Sequence, residues 1–442
     1  MKVFGAPDEG AVRQIETCLE DERAVAGALM ADHHLGYSMP IGGVVAYEGA
    51  ISPSGVGFDI ACGNKAVRTN IKAKDALGTG GSTQVPAEGP SPDRTPGGAG
   101  LVSSDETAGN EASVHAYSRS ESILREIASR VAFGLGRVNS TPIDHPVLED
   151  ERWEIIDGLD PKLREAARVQ LGTVGSGNHY VDLLSDEEGW LWIACHFGSR
   201  GFGYKVASGF LSIAAGKTFT DRIPESEVPA VLDIGTPSGD TYRELMELAG
   251  DYAYAGRDYV IEQVLGVLDN PGVTESVHCH HNYAWLEDGL WVVRKGATPL
   301  TPAPEFIGGS MGDISVIVTG TGEDIGALGS APHGAGRQMS RTKAAGKFKK
   351  ETVTRTAPDG STYTKKIRVR DKSTAAIDFD AVKHTLAARG IAVVGAGADE
   401  APAVYKDLRT VLAQHSNIAI KHTLTPIGVI MAGEDIFDPY KN

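Results

Sequence analysis

The chain has 442 residues, 41% of them hydrophobic, and a formal net charge of −16 at pH 7. This hydrophobic content can build a substantial core, while no signal peptide and no apolar run long enough to span a bilayer is found in the sequence. The four cysteines show no disulfide spacing, which argues against a disulfide-stapled secreted domain and fits a reducing compartment. We therefore expect a cytoplasmic protein with no membrane association.

Hydrophobic patterning predicts these elements in chain order: helices over Ser122–Val131 and Lys162–Gln170, a strand over Trp190–Ala194, a helix over Thr241–Leu268, and strands over Leu290–Val293, Ile314–Val318 and Ile391–Val394. Helices and strands do not alternate strictly, so an α+β fold with mixed sheets flanked by helices is expected. Candidate site residues are spread over nearly the whole chain, so we expect residues 1–442 to form a single compact domain. The Gly/Pro/Ser-rich stretch at about 78–110 predicts a mobile surface insertion.

Four glycine-flanked segments carry candidate metal ligands. In chain order they contain Asp59 and Cys62; Asn178, His179 and Asp182; His196; and the cluster His278, His280 and His281. Each group alone is more typical of a structural role than of metal binding, with the histidine cluster balanced between the two. Together, imidazole, carboxylate and thiolate suit a borderline transition ion such as manganese, zinc or iron, whereas magnesium and calcium prefer oxygen cages. Cys195 and Cys279 adjoin histidines, but strand neighbours point to opposite faces, so we expect both to be buried packing residues.

His333 lies in the segment 330–341, among Gly334, Gly336 and the arginines Arg337 and Arg341. The glycines let a bulky anion approach the imidazole, and each guanidinium can bind phosphate oxygens through two hydrogen bonds. A neutral imidazole nitrogen placed there could attack a phosphorus atom and hold it covalently. The alternative is an ordinary loop histidine beside an anion-binding turn.

The segment 336–372 is strongly basic, although the chain as a whole is acidic. It contains twelve Lys or Arg and three acidic residues, a local balance of +9. One interpretation is a solvated hairpin. The other is a track for an RNA backbone that leads to the site, with an affinity that depends on salt.

Taken together, these segments resemble those of the RtcB family, the GTP-dependent RNA ligases that act on 3′-phosphate or 2′,3′-cyclic-phosphate ends. The resemblance runs in order from about Gly55 to Gly433. Beyond the segments already described, it includes Arg294–Thr298, Gly309–Gly312, His333–Arg337 and Tyr405–Asp407. A set of separated motifs in the same order is far more specific than a lone glycine pattern.

The resemblance implies a role for each matching position. Cys62 would bridge two manganese ions, whose ligand sets would be completed by Asp59, His179, His196 and His281. His333 would be the catalytic nucleophile that takes GMP from GTP. The nucleotide would be contacted by Asn178, Asp182, Ser310, Ser315, Gly334, Gly336, Arg337 and Tyr405.

The implied reaction joins RNA ends in tRNA splicing or RNA repair. A 3′-phosphate would attack the GMP on His333 to give an RNA(3′)pp(5′)G end, and a 5′-hydroxyl would then displace GMP. A cyclic phosphate would first be opened. RNA is therefore the implied partner, and an archease-type activator is a second one.

Three positions depart from the family pattern, and one of them is Phe197, which replaces a small hydroxyl residue after His196. Asp182 stands where a glutamate is usual, and Met431 stands where the family has a lysine near the nucleotide. These changes leave the candidate ligands and His333 in place and indicate a divergent subgroup. Two alternatives stay open: a dinuclear metal-dependent phosphoesterase, which would need the ligands but not His333, and a catalytically silent RNA-binding relative.

Overall fold

The computed structural model describes residues 1–77, 118–223, 229–356 and 361–433, so the insertion predicted at about 78–110 lies outside the described residues. Within them the α-helices are α1 (Glu9–Leu19), α2 (Pro53–Val56), α3 (Ala73–Leu77), α4 (Arg119–Arg130), α5 (Trp153–Leu159), α6 (Leu163–Gln170), α7 (Arg200–Ala214), α8 (Pro237–Val267), α9 (Arg341–Ala345), α10 (Phe379–Ala388) and α11 (Leu408–Leu412). None of them is both long and apolar enough to cross a membrane.

The strands in the same residues are β1 (Lys2–Val3), β2 (Ala24–His34), β3 (Ile41–Glu48), β4 (Ala50–Ile51), β5 (Gly63–Lys72), β6 (Tyr180–Ser185), β7 (Trp190–Phe197), β8 (Leu232–Asp233), β9 (Val273–His280), β10 (Asn282–Glu287), β11 (Leu290–Lys295), β12 (Ala297–Pro299), β13 (Glu305–Ile307), β14 (Ser315–Gly320), β15 (Ser330–Pro332), β16 (Phe348–Thr356), β17 (Thr362–Arg370), β18 (Ala392–Ala396) and β19 (Ile418–Gly433).

Two larger sheets organise the described part of the chain. The eight-stranded sheet runs in the order β13-β14-β19-β6-β7-β5-β9, with β18 paired to β19, and the five-stranded sheet runs β1-β2-β3-β11-β10. Most pairs are antiparallel, but β1–β2 and β18–β19 are parallel. Helices and mixed sheets in one compact domain confirm the predicted α+β fold.

The predicted elements correspond to α4, α6 and α8 and to β7, β11, β14 and β18, with ends displaced by no more than four residues. The largest displacement is at the start of α8. There the Thr236 side chain accepts a hydrogen bond from the N–H of Gly239, and Pro237 occupies the first turn. Capping chemistry, rather than the apolar pattern, sets this boundary.

Helix α8 packs against α7 and against β7 of the large sheet. Its side chains Leu245, Leu248 and Tyr252 are buried, and burial of each leucine contributes about 1.5–3 kcal/mol. The four cysteines are free, and Cys195 and Cys279 are buried in the sheet, as predicted. This packing holds in place the end of the eight-stranded sheet at which the candidate site lies.

Candidate active site

The candidate metal ligands meet at one end of the eight-stranded sheet. His179 precedes β6, His196 lies on β7, Cys62 precedes β5 and His281 follows β9. These four strands are neighbours and antiparallel, so the starts of β6 and β5 lie beside the ends of β7 and β9. Asp59 joins them from the turn after α2. Sheet topology thus assembles residues that are far apart in the chain.

The five side chains form two groups that share Cys62. Its Sγ lies 3.7 Å from Nε2 of His179, and that nitrogen lies 2.9 Å from Oδ2 of Asp59. On the other side, Sγ lies 3.2 Å from Nε2 of His196, which lies 3.2 Å from Nε2 of His281. In each group the donor atoms are within 4.8 Å of one another, so each group could hold one metal ion.

The protonation states of these side chains suit a metal ion. Burial lowers the pKa of His196 to about 3 and holds that of His281 well below its usual value, so both imidazoles are neutral and able to bind metal. Burial, together with the Asp59 carboxylate, raises the pKa of the Cys62 thiol. A bound cation opposes that shift because it stabilises the thiolate. The donor set therefore fits a borderline transition ion.

Groups outside the two ligand sets orient the imidazoles. Nδ1 of His196 donates to the carbonyl oxygen of Asn178 at 2.8 Å, which turns Nε2 towards Cys62. A Cβ on Gly175 would lie 2.1 Å from Nδ1 of His179, so this position of the glycine-rich turn requires glycine. The turn before β6 therefore allows close approach of the His179 ring.

Arg257 on α8 connects three ligand-bearing segments. Its Nη1 donates to the carbonyl oxygens of Ala61 at 3.0 Å and Phe197 at 2.7 Å, each adjacent to a candidate ligand. Nη2 lies 3.0 Å from Nδ1 of His280, and Nε donates to Nε2 of His278 at 3.0 Å. Two of the three clustered histidines thus bind this fully buried guanidinium, and only the third faces the ligand groups.

Replacing Arg257 with methionine is expected to lower the free energy of unfolding by roughly 2–4 kcal/mol, because two buried carbonyls lose their donor. Arg243 on the same helix provides the control. Its Nη1 forms a partly exposed pair with Glu247 at 3.0 Å, so Arg243→Met should change this free energy by less than about 0.5 kcal/mol. Urea unfolding measures both variants, and equal losses would contradict the role of Arg257.

His333 follows β15, and its ring centroid lies 4.8 Å from that of His281. Its Nδ1 lies 2.7 Å from Oδ2 of Asp32, a fully buried residue of β2. The same oxygen accepts from the backbone N–H groups of His333 and Gly334. Burial alone would raise the pKa of Asp32, but the adjacent His333 imidazole holds it below its usual value. The carboxylate therefore keeps a proton on Nδ1 and leaves the lone pair on Nε2.

The glycine at 336 is required by its backbone and its surroundings. Gly336 has a φ of +72°, and a Cβ there would lie 2.0 Å from the carbonyl oxygen of Asp32. Any side chain would push the His333 turn away from β2. Gly336 therefore maintains the contact between His333 and Asp32.

A cavity of about 1290 Å³ connects the ligand groups to His333. It exceeds the roughly 300–1,000 Å³ typical of small-molecule sites. Its wall contains nearly all the predicted site residues, namely Asp59, Cys62, Asn178, His179, Asp182, His196, His281, Ser310, His333, Gly334, Gly336, Arg337 and Tyr405. Ser315 lies behind this wall, where its hydroxyl accepts a hydrogen bond from the N–H of Gly309 at 3.1 Å.

Arg337 and Tyr405 form a polar part of the cavity wall. Nη1 of Arg337 donates to the carbonyl oxygen of Asp399 at 2.9 Å and lies 3.5 Å from Oε2 of Glu400, which also accepts from the Tyr405 hydroxyl. Nη2 of Arg337 is buried without a hydrogen-bond partner among the described residues. Because a buried guanidinium N–H without a partner is unfavourable, its position is compatible with a ligand that supplies a hydrogen-bond acceptor.

Asp182 on β6 and Met431 on β19 also line the cavity. Burial raises the pKa of Asp182 well above its usual value, and Oδ1 has no hydrogen-bond partner in the described part of the chain. Such a carboxyl group is unfavourable unless a ligand supplies donors. Met431 is nearly buried and packs with Met311 and Leu386, so it brings no cation to the cavity.

Three residues of the site were missed by the sequence analysis. Asp32 and Arg257 are charged residues that the structure buries completely, and no local motif in the sequence marked either of them. Arg200 lies in the cavity wall, and its Nη1 is 3.4 Å from Nδ1 of His179. Its φ of +58° turns the chain sharply at the start of α7.

The α+β fold and the cluster of imidazole, thiolate and carboxylate donors beside a large cavity are compatible with a metal-dependent enzyme. Residues 18–432 match the family described as tRNA-splicing ligase RtcB. The chain belongs to this family.

Curated relatives match along most of their length. The tRNA-splicing ligase RtcB of Pyrobaculum aerophilum is 29% identical, with 91% of this chain and 87% of the relative covered. The tRNA-splicing ligase RtcB of Archaeoglobus fulgidus is 31% identical, with coverages of 74% and 76%. The RNA-splicing ligase RtcB of Escherichia coli is 29% identical, with coverages of 88% and 86%. The family assignment therefore extends over nearly the whole chain.

Proposed function

We propose that this protein is an RNA ligase that joins 3′-phosphate or 2′,3′-cyclic-phosphate ends to 5′-hydroxyl ends, with GTP as co-substrate and two manganese ions. Membership of the RtcB family supports RNA ligation, since the relatives bear the names of RNA-splicing and tRNA-splicing ligases. The finer proposal depends on one observation. His333 lies against His281 and in the wall of the cavity that contains Cys62.

The residues that would hold the metal ions are the two groups that share Cys62. One consists of Asp59, Cys62 and His179, and the other of Cys62, His196 and His281. When bound, two cations would neutralise the negative charge that develops on a departing pyrophosphate. The chain itself contributes buried neutral imidazoles and a thiol held in fixed positions by the sheet.

The nucleophile in this proposal is Nε2 of His333. It attacks the α-phosphorus of GTP, a nitrogen–phosphorus bond forms, the bond from that phosphorus to the β-phosphate oxygen breaks, and pyrophosphate leaves. The Asp32 carboxylate retains the Nδ1 proton and stabilises the positive charge that the ring acquires. An oxygen of the RNA 3′-phosphate then attacks the same phosphorus, which returns the electron pair to Nε2 and gives RNA(3′)pp(5′)G.

In the last step, the 5′-hydroxyl oxygen of the second RNA attacks the 3′-phosphate phosphorus. GMP leaves, and the hydroxyl proton passes to solvent. Nη2 of Arg337, which has no partner among the described residues, would donate to a phosphate oxygen, and Asn178 lines the same cavity. In its ionised form, the carboxylate of Asp182 would accept from the two N–H donors on the guanine edge, whereas adenine offers one donor and a ring acceptor there. These contacts support GTP as the nucleotide.

The test is a ligation assay with one labelled RNA that ends in a 3′-phosphate and a second RNA with a 5′-hydroxyl. We expect a joined product that requires GTP and Mn²⁺, and a rate at least about tenfold lower with ATP. A phosphoesterase would remove the terminal phosphate without joining the strands, and a silent RNA-binding protein would leave both unchanged. Either outcome would contradict the proposal.

The proposed activator is tested by adding an archease-type protein to the ligation assay. An increase in ligation turnover is the expected result.

A further inference from the structure

The basic segment forms a hairpin that begins seven residues after Arg341, a residue of the cavity wall. Strands β16 and β17 make a two-stranded sheet of their own in the described part of the chain. They follow α9, whose first residue, Arg341, lines the cavity. At the base of the hairpin, Nη1 of Arg370 donates to the carbonyl oxygen of Gly346 at 3.0 Å, and its guanidinium lies 3.8 Å from the Phe348 ring centroid. The start of the hairpin is therefore anchored to the body of the protein.

The register distributes the hairpin side chains unevenly over its two faces. Residues paired across antiparallel strands share a face, and successive residues alternate between faces. Lys350 pairs with Arg368, and Thr352 pairs with Lys366. One face, called here the cationic face, therefore consists of Phe348, Lys350, Thr352, Thr354, Thr362, Thr364, Lys366, Arg368 and Arg370. No acidic residue is among these described side chains.

The opposite face is mixed in character. It contains Lys349, Glu351, Val353, Tyr363, Lys365, Ile367 and Val369. Nζ of Lys349 lies 3.5 Å from Oδ1 of Asp371, so part of its charge is neutralised. On the cationic face, Lys350 and Lys366 are exposed and have no ion-pair partner among the described residues. Among the described side chains of the hairpin, the excess of positive charge is therefore concentrated on one side.

The net charge of the basic segment is opposite in sign to the net charge of the rest of the chain. Residues 336–372 carry +9 and the chain carries −16, so the remaining residues together carry −25. A polyanion is repelled by such a remainder and is attracted only where positive charge is concentrated. A basic hairpin that follows the cavity-wall residue Arg341 in the chain is such a place.

We infer that the cationic face binds the sugar–phosphate backbone of the RNA substrate and guides its end to the cavity, an inference that rests on the proposed RNA-ligase function. Lysine and arginine side chains pair with phosphates, and threonine hydroxyls donate to phosphate or ribose oxygens. Same-face neighbours on a strand lie about 7 Å apart, which forms a regular row of such groups. The Phe348 ring, the one aromatic ring on this face, is covered by Arg370 and is not available for stacking on a base. Binding is therefore independent of sequence and sensitive to salt.

Two double variants test the inference because each removes two lysines from the same hairpin. Lys350→Gln with Lys366→Gln acts on the cationic face, and Lys349→Gln with Lys365→Gln acts on the opposite face. The measurement is fluorescence anisotropy of a labelled single-stranded RNA with a 3′-phosphate, titrated at several salt concentrations. The first variant should bind roughly 5- to 20-fold more weakly, with a salt slope smaller by about 1.4. The second should bind within about twofold of the unmodified protein.

Equal weakening by the two variants, or no weakening by the first, overturns the inference, as does an absence of RNA binding by the unmodified protein. A separate readout distinguishes this failure from failure of the proposed function. Covalent labelling of each protein by GTP without RNA depends on the cavity and not on the hairpin. Both variants should label at the rate of the unmodified protein. Loss of labelling in all three proteins would contradict the proposed nucleotide chemistry. The RNA-binding affinities of the two double variants would still decide the role of the hairpin.

Discussion

Replacement of His333 by alanine is expected to abolish covalent labelling by α-labelled GTP and to lower ligation by at least about 10³-fold. The reason is chemical. Nε2 of His333 is the atom that bonds to phosphorus in the proposal, and the ring lies against the ligand cluster with Nδ1 held by Asp32. Without it, the cavity retains its phosphate contacts but lacks this nucleophile.

Two further variants make this prediction more specific. His384 is an exposed histidine of α10, so His384→Ala should leave labelling unchanged. Asp32→Asn keeps an oxygen that can accept from the backbone but removes the charge that stabilises the ring, so we expect a loss of about 10–100-fold. Undiminished labelling in His333→Ala would show that another group accepts the nucleotide.

The second large effect is expected from Cys62→Ala. Both ligand groups contain Cys62, so its removal weakens two metal sites at once, and we expect affinity for manganese to fall by more than about 100-fold. Replacement of another ligand such as Asp59 removes a donor from one group only. Mass spectrometry of metal content after dialysis against Mn²⁺ distinguishes the two patterns.

Cys195 provides the matched control for Cys62→Ala. It is buried in β7 beside His196, but its thiol belongs to neither ligand group. Cys195→Ala should cost packing energy of about 1 kcal/mol and keep both metal ions. Full metal content in Cys62→Ala, or equal loss in the two variants, would contradict the shared-ligand arrangement.

Much of the fold could be predicted from the sequence pattern, because α8 has apolar residues at helical spacing over a long segment and β7 is an apolar run of strand length. Sheet order could not be predicted. Strand β5 pairs with β9, which places Gly63 opposite His280 across more than two hundred residues. Many such pairings are compatible with the same local pattern, and packing of the whole chain decides among them.

Part of the candidate site could likewise be predicted from the sequence, and part could not. Glycine-flanked motifs pointed to the candidate ligands and to His333, since histidines beside glycine-rich turns form a local pattern in the sequence. The sequence around Asp32 contains no such pattern, because the role of Asp32 depends on a contact with a residue 301 positions away. Arg257 is similar, since its partners Ala61 and Phe197 come from two other segments. The roles of the five candidate ligands in metal binding, of His333 in catalysis, and of Ser315 and the other predicted contacts in nucleotide binding stay predictions.

The identity of the residue that carries the nucleotide tests the central claim most directly. After incubation with GTP and Mn²⁺, peptide mapping by mass spectrometry should find GMP attached to His333. Lys295 offers the contrasting result, because it lines the same cavity, burial lowers its pKa to about 8, and a deprotonated amine is a nucleophile. GMP on Lys295, or efficient ligation with no nucleotide on His333, would contradict the proposed chemistry.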